Sequence, residues 1–533
     1  MIIKEIKIEQ FRKFRDQTFK VGNYLTAIAG RNKTLKSTLL GILTQPFSIT
    51  NADSPLYGCK TLDGYNFRSQ FKEKFKFDKT EMVGSHAWEI TLTEEASALA
   101  KYNPFKLISI PRSQKDQTIR FWHPTDRSKG SGYIQAPVYF LSLSRLFPVG
   151  ETALSAKTIR PANLSPEEQT QFNQEYAKIL TDQETILNTT YGKDKKITSV
   201  GVNTQDGSHL TNSAGQSNIA RIILAVFSFQ RLKNTNPTGY KGGILAIDEI
   251  DATLHPSAQK HLIKFLHKYA KELDLQIIFT THSQHILEEL REMVLKDQNP
   301  DNNKVLYLRI DRKPTGSIIK ILETKKIKDF NMAISDLKLL PYEAAKINVF
   351  CEDPVTRNLL SRTIGSEYYK RIKPIATGIG CGEYMKLHKS PLKEFKNALI
   401  ILDGDVKKEN QKIKKWINRS KNVLSLPDDT CPEISFYDML QNPQNFIEFN
   451  KSRKSEDSAD VLFQSFMPTS KPTRHQDVKD FCKNWFKSLS TKDKNAIYST
   501  WKKLHAEECN IFKNKFKEQF NAIAEKMMIE PIE

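Results

Sequence analysis

Two carboxylates end the run Gly243-Ile244-Leu245-Ala246-Ile247-Asp248-Glu249, and a Lys-Ser pair stands inside Ala29-Gly30-Arg31-Asn32-Lys33-Thr34-Leu35-Lys36-Ser37-Thr38. The second segment follows an apolar run, Tyr24 to Ala29, and precedes a helical one, Leu39 to Leu43, so it reads as a loop from strand to helix. Such a loop cradles a triphosphate with backbone N–H groups, brings a lysine to the β- and γ-phosphates and offers a hydroxyl to Mg²⁺. Lys36 and Ser37 suit those tasks, with Gly30, Asn32, Lys33 and Thr38 completing the loop. The pattern G-x-x-x-x-G-K-[ST] puts glycine where this chain has Leu35, and Lys33 replaces a further glycine of the commoner form. A side chain held at positive φ costs roughly 1–2 kcal/mol, so the expectation is a nucleotide that binds but turns over slowly.

Asp248 suits a group that orients hydrated Mg²⁺, and Glu249 one that polarises an attacking water. Asn212-Ser213-Ala214-Gly215-Gln216-Ser217 stands before the helical run Ile219 to Phe229. Ser213, Gly215 and Gln216 therefore lie at a helix N-terminus, where anions are favoured, and mark a second nucleotide-binding surface. Ile277-Ile278-Phe279-Thr280-Thr281-His282-Ser283 is another buried strand whose tip carries a histidine able to reach a γ-phosphate. Alone, each piece also reads as a strand-end turn or a helix cap. Their order along one chain argues for a nucleotide site.

At these residues the chain resembles the ABC-type ATPases of the chromosome-maintenance and DNA-repair kind. The opening agrees, because Ile6 to Phe14, with Phe11-Arg12-Lys13-Phe14, is similar to the strand and turn that begin those heads. The resemblance covers roughly residues 1 to 330 and implies two subunits that sandwich two ATP molecules, a homodimer or higher oligomer. It implies that Lys36, Ser37 and Arg12 serve the nucleotide, that Ser37 and Asp248 serve Mg²⁺, and that Glu249 is the catalytic base. Ser213, Gly215 and Gln216 would face the partner's γ-phosphate, Asp251 would lie in the dimer-contact loop, and His282 would be the catalytic switch histidine. The family's glutamine loop finds no match here. Nor do its long coiled-coil arms: the one polar helical stretch, Pro166 to Leu187, supplies only a short projection, a helical insertion near residues 164–190.

Farther along, Ile347-Asn348-Val349-Phe350-Cys351-Glu352 is a strand ending in an acid, Pro354 to Thr363 reads as a helix, and Ala398 to Asp405 is a strand ending in Asp403-Gly404-Asp405. Carboxylates at neighbouring strand tips suit hard divalent metals, which makes Glu352, Asp403 and Asp405 candidate metal-ligating and catalytic residues. The competing reading is a strand-end turn in which Asp and Gly supply only turn chemistry. The arrangement is similar to a Toprim domain. A head followed by Toprim resembles the overcoming-lysogenisation-defect (OLD) nucleases of bacterial defence against phage. That layout implies ATP-gated cleavage of nucleic acid, DNA before RNA, with Mg²⁺ or Mn²⁺. The chain departs from the Toprim pattern, which has glycine after the first Glu and a further acid soon after. Here Asp353, Pro354, Val355, Thr356 and Arg357 follow, leaving Asp353 as a substitute ligand and Glu433 as another candidate. The departures keep a second function open, an ATP-binding scaffold with an inactive Toprim-like domain. Such a scaffold would control a partner effector from its defence operon, either a separate nuclease or a retron-type reverse-transcriptase and RNA assembly.

The expected class is thus α/β: an ABC-type P-loop head over 1–330, a Toprim-like domain over 331–441, and a basic, mainly helical tail over 442–533. The formal charge of +20 attracts polyanions and fits a nucleic-acid partner. No apolar run reaches the length of a membrane span, and Met1 to Glu5 begins a strand, so a cytoplasmic protein is expected. Six cysteines show no metal spacing and are expected to be reduced thiols. In the tail, Phe481, Trp485, Phe486, Tyr498, Trp501, Phe512, Phe516 and Phe520 lie among lysines. They face either a core or, by stacking, a nucleic acid. Residues 442–475 read as polar, with an exposed loop at Lys451 to Ser458.

Overall fold

The computed structural model describes residues 1–533 except 69, 78–80, 113–117, 129, 147–158, 182–184, 194–197, 206, 314–315, 340–343, 391, 409–410, 454–458, 468–471, 473–474 and 533. The chain forms two units, Met1–Tyr342 and Glu343–Glu533.

In the first unit a six-stranded sheet runs in the spatial order Gly316–Glu323, Asn303–Lys313, Leu25–Gly30, Leu275–Thr281, Gly243–Ile247, Val138–Leu141. Neighbours are parallel except for the first pair. The strands Leu25–Gly30, Leu275–Thr281 and Gly243–Ile247 are buried at every position, as strands covered on both faces must be. Alternation along them divides the core. Leu25, Ala27, Leu245 and Ile277 pack with the helices Ala214–Thr235 and Pro256–Glu272. Ile28, Ala246 and Ile278 pack with the helix Lys36–Thr44 and with a second, antiparallel sheet of five strands that includes Ile3–Phe11 and Ala87–Leu92. This layering brings the C-terminal tips of the parallel strands, and so the motif residues, to one edge.

The stretch expected to project does not. Its helix ends at Leu180, and Phe172, Tyr176 and Ile179 form an apolar stripe that joins the core beneath the helices Ala214–Thr235 and Pro256–Glu272. Residues Ile186–Lys193 are a strand, paired antiparallel with Ile159–Pro161 and Thr198–Thr204.

The second unit holds four parallel strands in the order Ile372–Ala376, Ile347–Cys351, Leu399–Leu402, Val423–Ser425. On one face Val349, Ile401 and Leu424 share a core with Trp485, Trp501, Phe512, Phe516 and Phe520 of the last three helices, His475–Ser488, Thr491–Leu504 and Ala506–Met527. On the other, Ile400, Leu402 and Val423 pack with Tyr384 and Trp416. The tail aromatics therefore serve a core and not a stacking surface. The stretch read as polar contains the helices Pro443–Arg453 and Ala459–Phe466, where Phe446, Phe449, Phe463 and Phe466 cluster; Lys454 to Ser458 lie outside the described residues. No disulfide joins any of the six cysteines.

Candidate nucleotide site and carboxylate cluster

The strand Leu25–Gly30 delivers the chain to the loop, and Gly30 is required there: at φ 150°, a Cβ would stand 2.6 Å from the Leu308 carbonyl oxygen. Beyond it Lys33 and Leu35 both adopt the left-handed conformation, with φ of 68° and 62°. The loop thus keeps the backbone path of a glycine-bearing one with side chains in place of glycine. Arg31, Asn32 and Lys33 are exposed, whereas Lys36 is buried and its Nζ donates to the Arg31 carbonyl at 3.2 Å. Burial lowers the Lys36 pKa to about 8, against the nearby Glu249, Asp248 and Asp251, which raise it. Ser37 Oγ donates to Asp248 Oδ1 at 2.9 Å, so the hydroxyl and the carboxylate expected to hold Mg²⁺ converge, and both are hard oxygen donors that fit it. Arg12, itself at φ 51°, donates from Nη1 to Thr38 Oγ1 at 3.0 Å and pairs with Glu81 at 2.9 Å.

Thr280, on the adjacent strand, locks the acid pair: its Oγ1 donates to Asp248 Oδ1 at 2.6 Å and accepts from the Glu249 amide at 2.6 Å. Glu249 holds a φ of 50°, a strained position at a strand tip. His282 follows the same strand as Thr280, and its amide donates to Asp251 Oδ1 at 3.2 Å. Burial, then Lys36, lowers the His282 pKa, which keeps the ring neutral at physiological pH. Ser213 is the N-cap of the helix Ala214–Thr235 in a capping box: its Oγ accepts from the Gln216 amide at 3.3 Å, and Gln216 Oε1 accepts from the Ser213 amide at 2.8 Å. Ser213 is exposed. Gly215 packs where a Cβ would meet the Thr253 carbonyl oxygen at 2.7 Å.

Two residues absent from the sequence reading tie these parts together. Arg145, 2% exposed, donates from Nε to Asn218 Oδ1 at 2.8 Å and from Nη2 to the Glu249 carbonyl at 2.8 Å. Asn218 Nδ2 in turn donates to the Ala252 carbonyl at 3.0 Å. Burial lowers the Arg145 pKa to about 10. Arg145 follows the strand Val138–Leu141, which lies beside Gly243–Ile247, so its turn stands next to the Asp248 strand. No motif marks it, because its acceptors are mostly carbonyl oxygens supplied by the fold.

In the second unit the tips of the neighbouring strands Ile347–Cys351 and Leu399–Leu402 bring Glu352 and Asp403 together, and the Asp403 amide donates to Glu352 Oε1 at 3.2 Å. Burial raises the Glu352 pKa to about 7, with Asp405 adding to it. Burial, then Glu352, raises that of Asp403, whose Oδ1 accepts from Thr356 Oγ1 at 2.5 Å. Asp405 is taken by Lys479, with Nζ and Oδ2 2.6 Å apart. Asp353 caps the helix Pro354–Ile364, its Oδ1 accepting from the Val355 and Thr356 amides at 2.9 and 2.8 Å. Glu433 is 3% exposed at the head of the helix Pro432–Gln441, and its Oε2 has no hydrogen-bond partner. Among the described residues no three His, Cys, Asp or Glu side chains are disposed to hold one metal ion. The expected ligand set Glu352, Asp403, Asp405 and Glu433 is therefore not gathered around one point among the described residues; Lys479 pairs with Asp405 Oδ2 and the Thr356 hydroxyl with Asp403 Oδ1.

Residues 151–287 match the AAA ATPase domain family (AAA_15). The match takes in Ser213, Asp248, Glu249 and His282 and leaves out the loop Gly30 to Thr38. The chain thus contains an ATPase domain, and ATP is the nucleotide such a domain binds. Among solved structures, the SMC head domain from Thermotoga maritima is 12% identical, with 61% of this chain and 100% of that one covered at a TM-score of 0.33. An SmcHead bound to the C-winged helix domain of ScpA is 13% identical, with 61% and 98% covered at 0.35. An Smc head domain with an extended coiled coil, bound to the C-terminal domain of ScpA and derived from Pyrococcus furiosus, is 12% identical, with 60% and 96% covered at 0.34. Likeness at this level carries no inference about activity or partners. No curated protein matches the chain. Among the described residues no helix is long and apolar enough to cross a membrane.

Proposed function

We propose that the first unit is an ABC-type ATPase head that joins a second copy of itself around two ATP molecules, and that this dimer switches a cytoplasmic defence complex against phage. The observation that carries the reading is the meeting of Ser37 and Asp248 at 2.9 Å beside the buried Lys36, with Glu249 one residue on. Lys36 binds the β- and γ-phosphates, Ser37 would hold Mg²⁺ and Asp248 its water, and Glu249 takes a proton from the attacking water. Mg²⁺, when bound, neutralises phosphate charge. Ser213, Gly215 and Gln216 meet the nucleotide of the other copy, and His282, near Lys36, orients the γ-phosphate held by its own chain. In its own chain the exposed Ser213 hydroxyl only caps a helix, which supports a use across a dimer. Measuring mass in solution with and without ATP tests this. Glu249→Gln is expected to give a long-lived ATP dimer and Ser213→Arg to stay monomeric while folded; a Ser213→Arg variant that dimerises like the parent overturns the sandwich.

For the second unit the scaffold reading is the better supported: a Toprim-like domain in the layout of the OLD proteins that governs a separate nuclease or a retron-type reverse-transcriptase and RNA assembly. The Asp405–Lys479 pair supports it, since the ammonium neutralises the carboxylate a metal would need. The formal charge of +20 supports a nucleic-acid partner, DNA before RNA. A metal-dependent nuclease is the second reading, favoured by the unpartnered Glu433 Oε2 and the contact between Glu352 and Asp403. Plasmid cleavage with Mg²⁺ or Mn²⁺, with and without ATP, is to be compared with phage protection in cells. Folded Asp403→Asn and Asp405→Asn variants that protect fully favour the scaffold. Loss of both cleavage and protection favours the nuclease.

A further inference from the structure

Arg221, in the helix Ala214–Thr235, is 8% exposed and uses one edge of its guanidinium: Nη2 lies 3.1 Å from Asp63 Oδ2 and 3.5 Å from the Tyr139 hydroxyl. Its Nε and Nη1 are buried and have no acceptor. A buried charged donor without an acceptor is unfavourable, and the space it faces is where an acceptor would relieve it. The same side chain lines a cavity of about 390 Å³ together with Lys60, Tyr65, Arg68, Ser142 and Arg145. No residue of the loop Gly30 to Thr38 lines it, so it is a space apart from the ATP site. Cations outnumber anions on its wall, where Glu73 is the carboxylate. Arg145 has acceptors of its own in Asn218 and Glu249, and Lys60 donates to Asn66. Arg221 and the exposed Arg68 complete the cationic wall near Glu73, and Ser142, hydrogen-bonded to Ser144, lines the same space.

Guanidinium groups match tetrahedral oxyanions, and donors converging from several elements suit a group with three acceptor oxygens. The volume lies at the small end of ligand pockets, roughly 300–1,000 Å³, which admits a mononucleotide. We propose that this cavity binds a phosphate monoester of mononucleotide size, either a free nucleotide or the phosphorylated end of a nucleic-acid strand. Because Ser142 and Arg145 line it and Arg145 also holds the Glu249 carbonyl, the occupant bears on the loop that carries the catalytic acid.

The full chain, saturated with a non-hydrolysable ATP analogue, is titrated by calorimetry with AMP and with short DNA bearing a 5′-phosphate or a 5′-hydroxyl. Binding of AMP alone assigns a free nucleotide; binding of the phosphorylated strand over the hydroxyl one assigns a strand end. Arg68→Glu, an exposed change that leaves the core intact, and Arg221→Lys are each expected to weaken the dissociation constant at least tenfold. No binding of AMP or of the phosphorylated strand overturns the proposal. Equal binding of the two strands with AMP silent also overturns it, as does binding that survives Arg68→Glu.

Discussion

Lys33 and Leu35 spend the folded state at φ values of 68° and 62°, which glycine adopts freely and other residues do not. Lys33 is exposed and forfeits no packing when removed, whereas Leu35 packs against the core beside the helix Lys36–Thr44. Lys33→Gly should therefore raise stability by about 0.5–1 kcal/mol, the relief of strain less the added freedom of the unfolded chain. Denaturant unfolding reads this directly; a destabilised variant would mean that the lysine contributes a contact that outweighs its strain. Glu352 calls for a pH test. Its folded pKa, about 7, exceeds the ordinary 4.5 of a glutamate, because burial favours the neutral acid. Below the unfolded value both states hold the proton and the contribution is whole. As pH rises through 7 the folded state must ionise a buried group, and stability on the order of 2–3 kcal/mol is lost. Between pH 5 and 8, in chelator, Glu352→Gln should lose less stability than the parent by urea unfolding. Equal losses would show that Glu352 is solvated.

At the level of elements, the helix Ala214–Thr235 begins against the turn that follows Asp248. Gly215 lets it approach, since a Cβ there would stand 2.7 Å from the Thr253 carbonyl oxygen. Gly215→Ala should push the helix start off that turn, cost about 1–3 kcal/mol as overpacking does, and cut ATP-dependent dimerisation at least tenfold. Mass measurement across an ATP series checks it, with thermal unfolding as control. Much of this was legible beforehand. The runs Gly243 to Ile247 and Ile277 to Thr281 read as buried strands from their apolar residues. The helix near Pro166 was also legible, but its docking was not, because a stripe of Phe172, Tyr176 and Ile179 says that a helix packs and not against what. Arg145 and Asn218 escaped because a side chain that reaches carbonyl oxygens leaves no spacing in the sequence. In the second unit Asp403 and Asp405 look like a matched pair, yet Lys479, 74 residues on, takes one of them. Only the fold sets that meeting.

Across the whole molecule, both units are closed by partners distant in sequence. In the first, the amides of Ile2 and Ile3 donate to Gln276 Oε1 at 3.1 and 2.7 Å, and the strand Leu25–Gly30 lies between Leu275–Thr281 and Asn303–Lys313. In the second, Val349 shares its core with Phe516, Phe520 and Ile523. These connections slow folding, because loop closure must precede the contacts that reward it. They also set an order on the ribosome. The 245 residues from Gly30 to Leu275 take roughly 12–50 s to make at about 5–20 residues per second, and for that time the strand destined for the centre of the sheet has no partner strand. The nascent head is therefore a client for chaperones once that strand is made, and a ribosome that stalls before residue 275 leaves a fragment whose phosphate-loop strand lacks both partner strands.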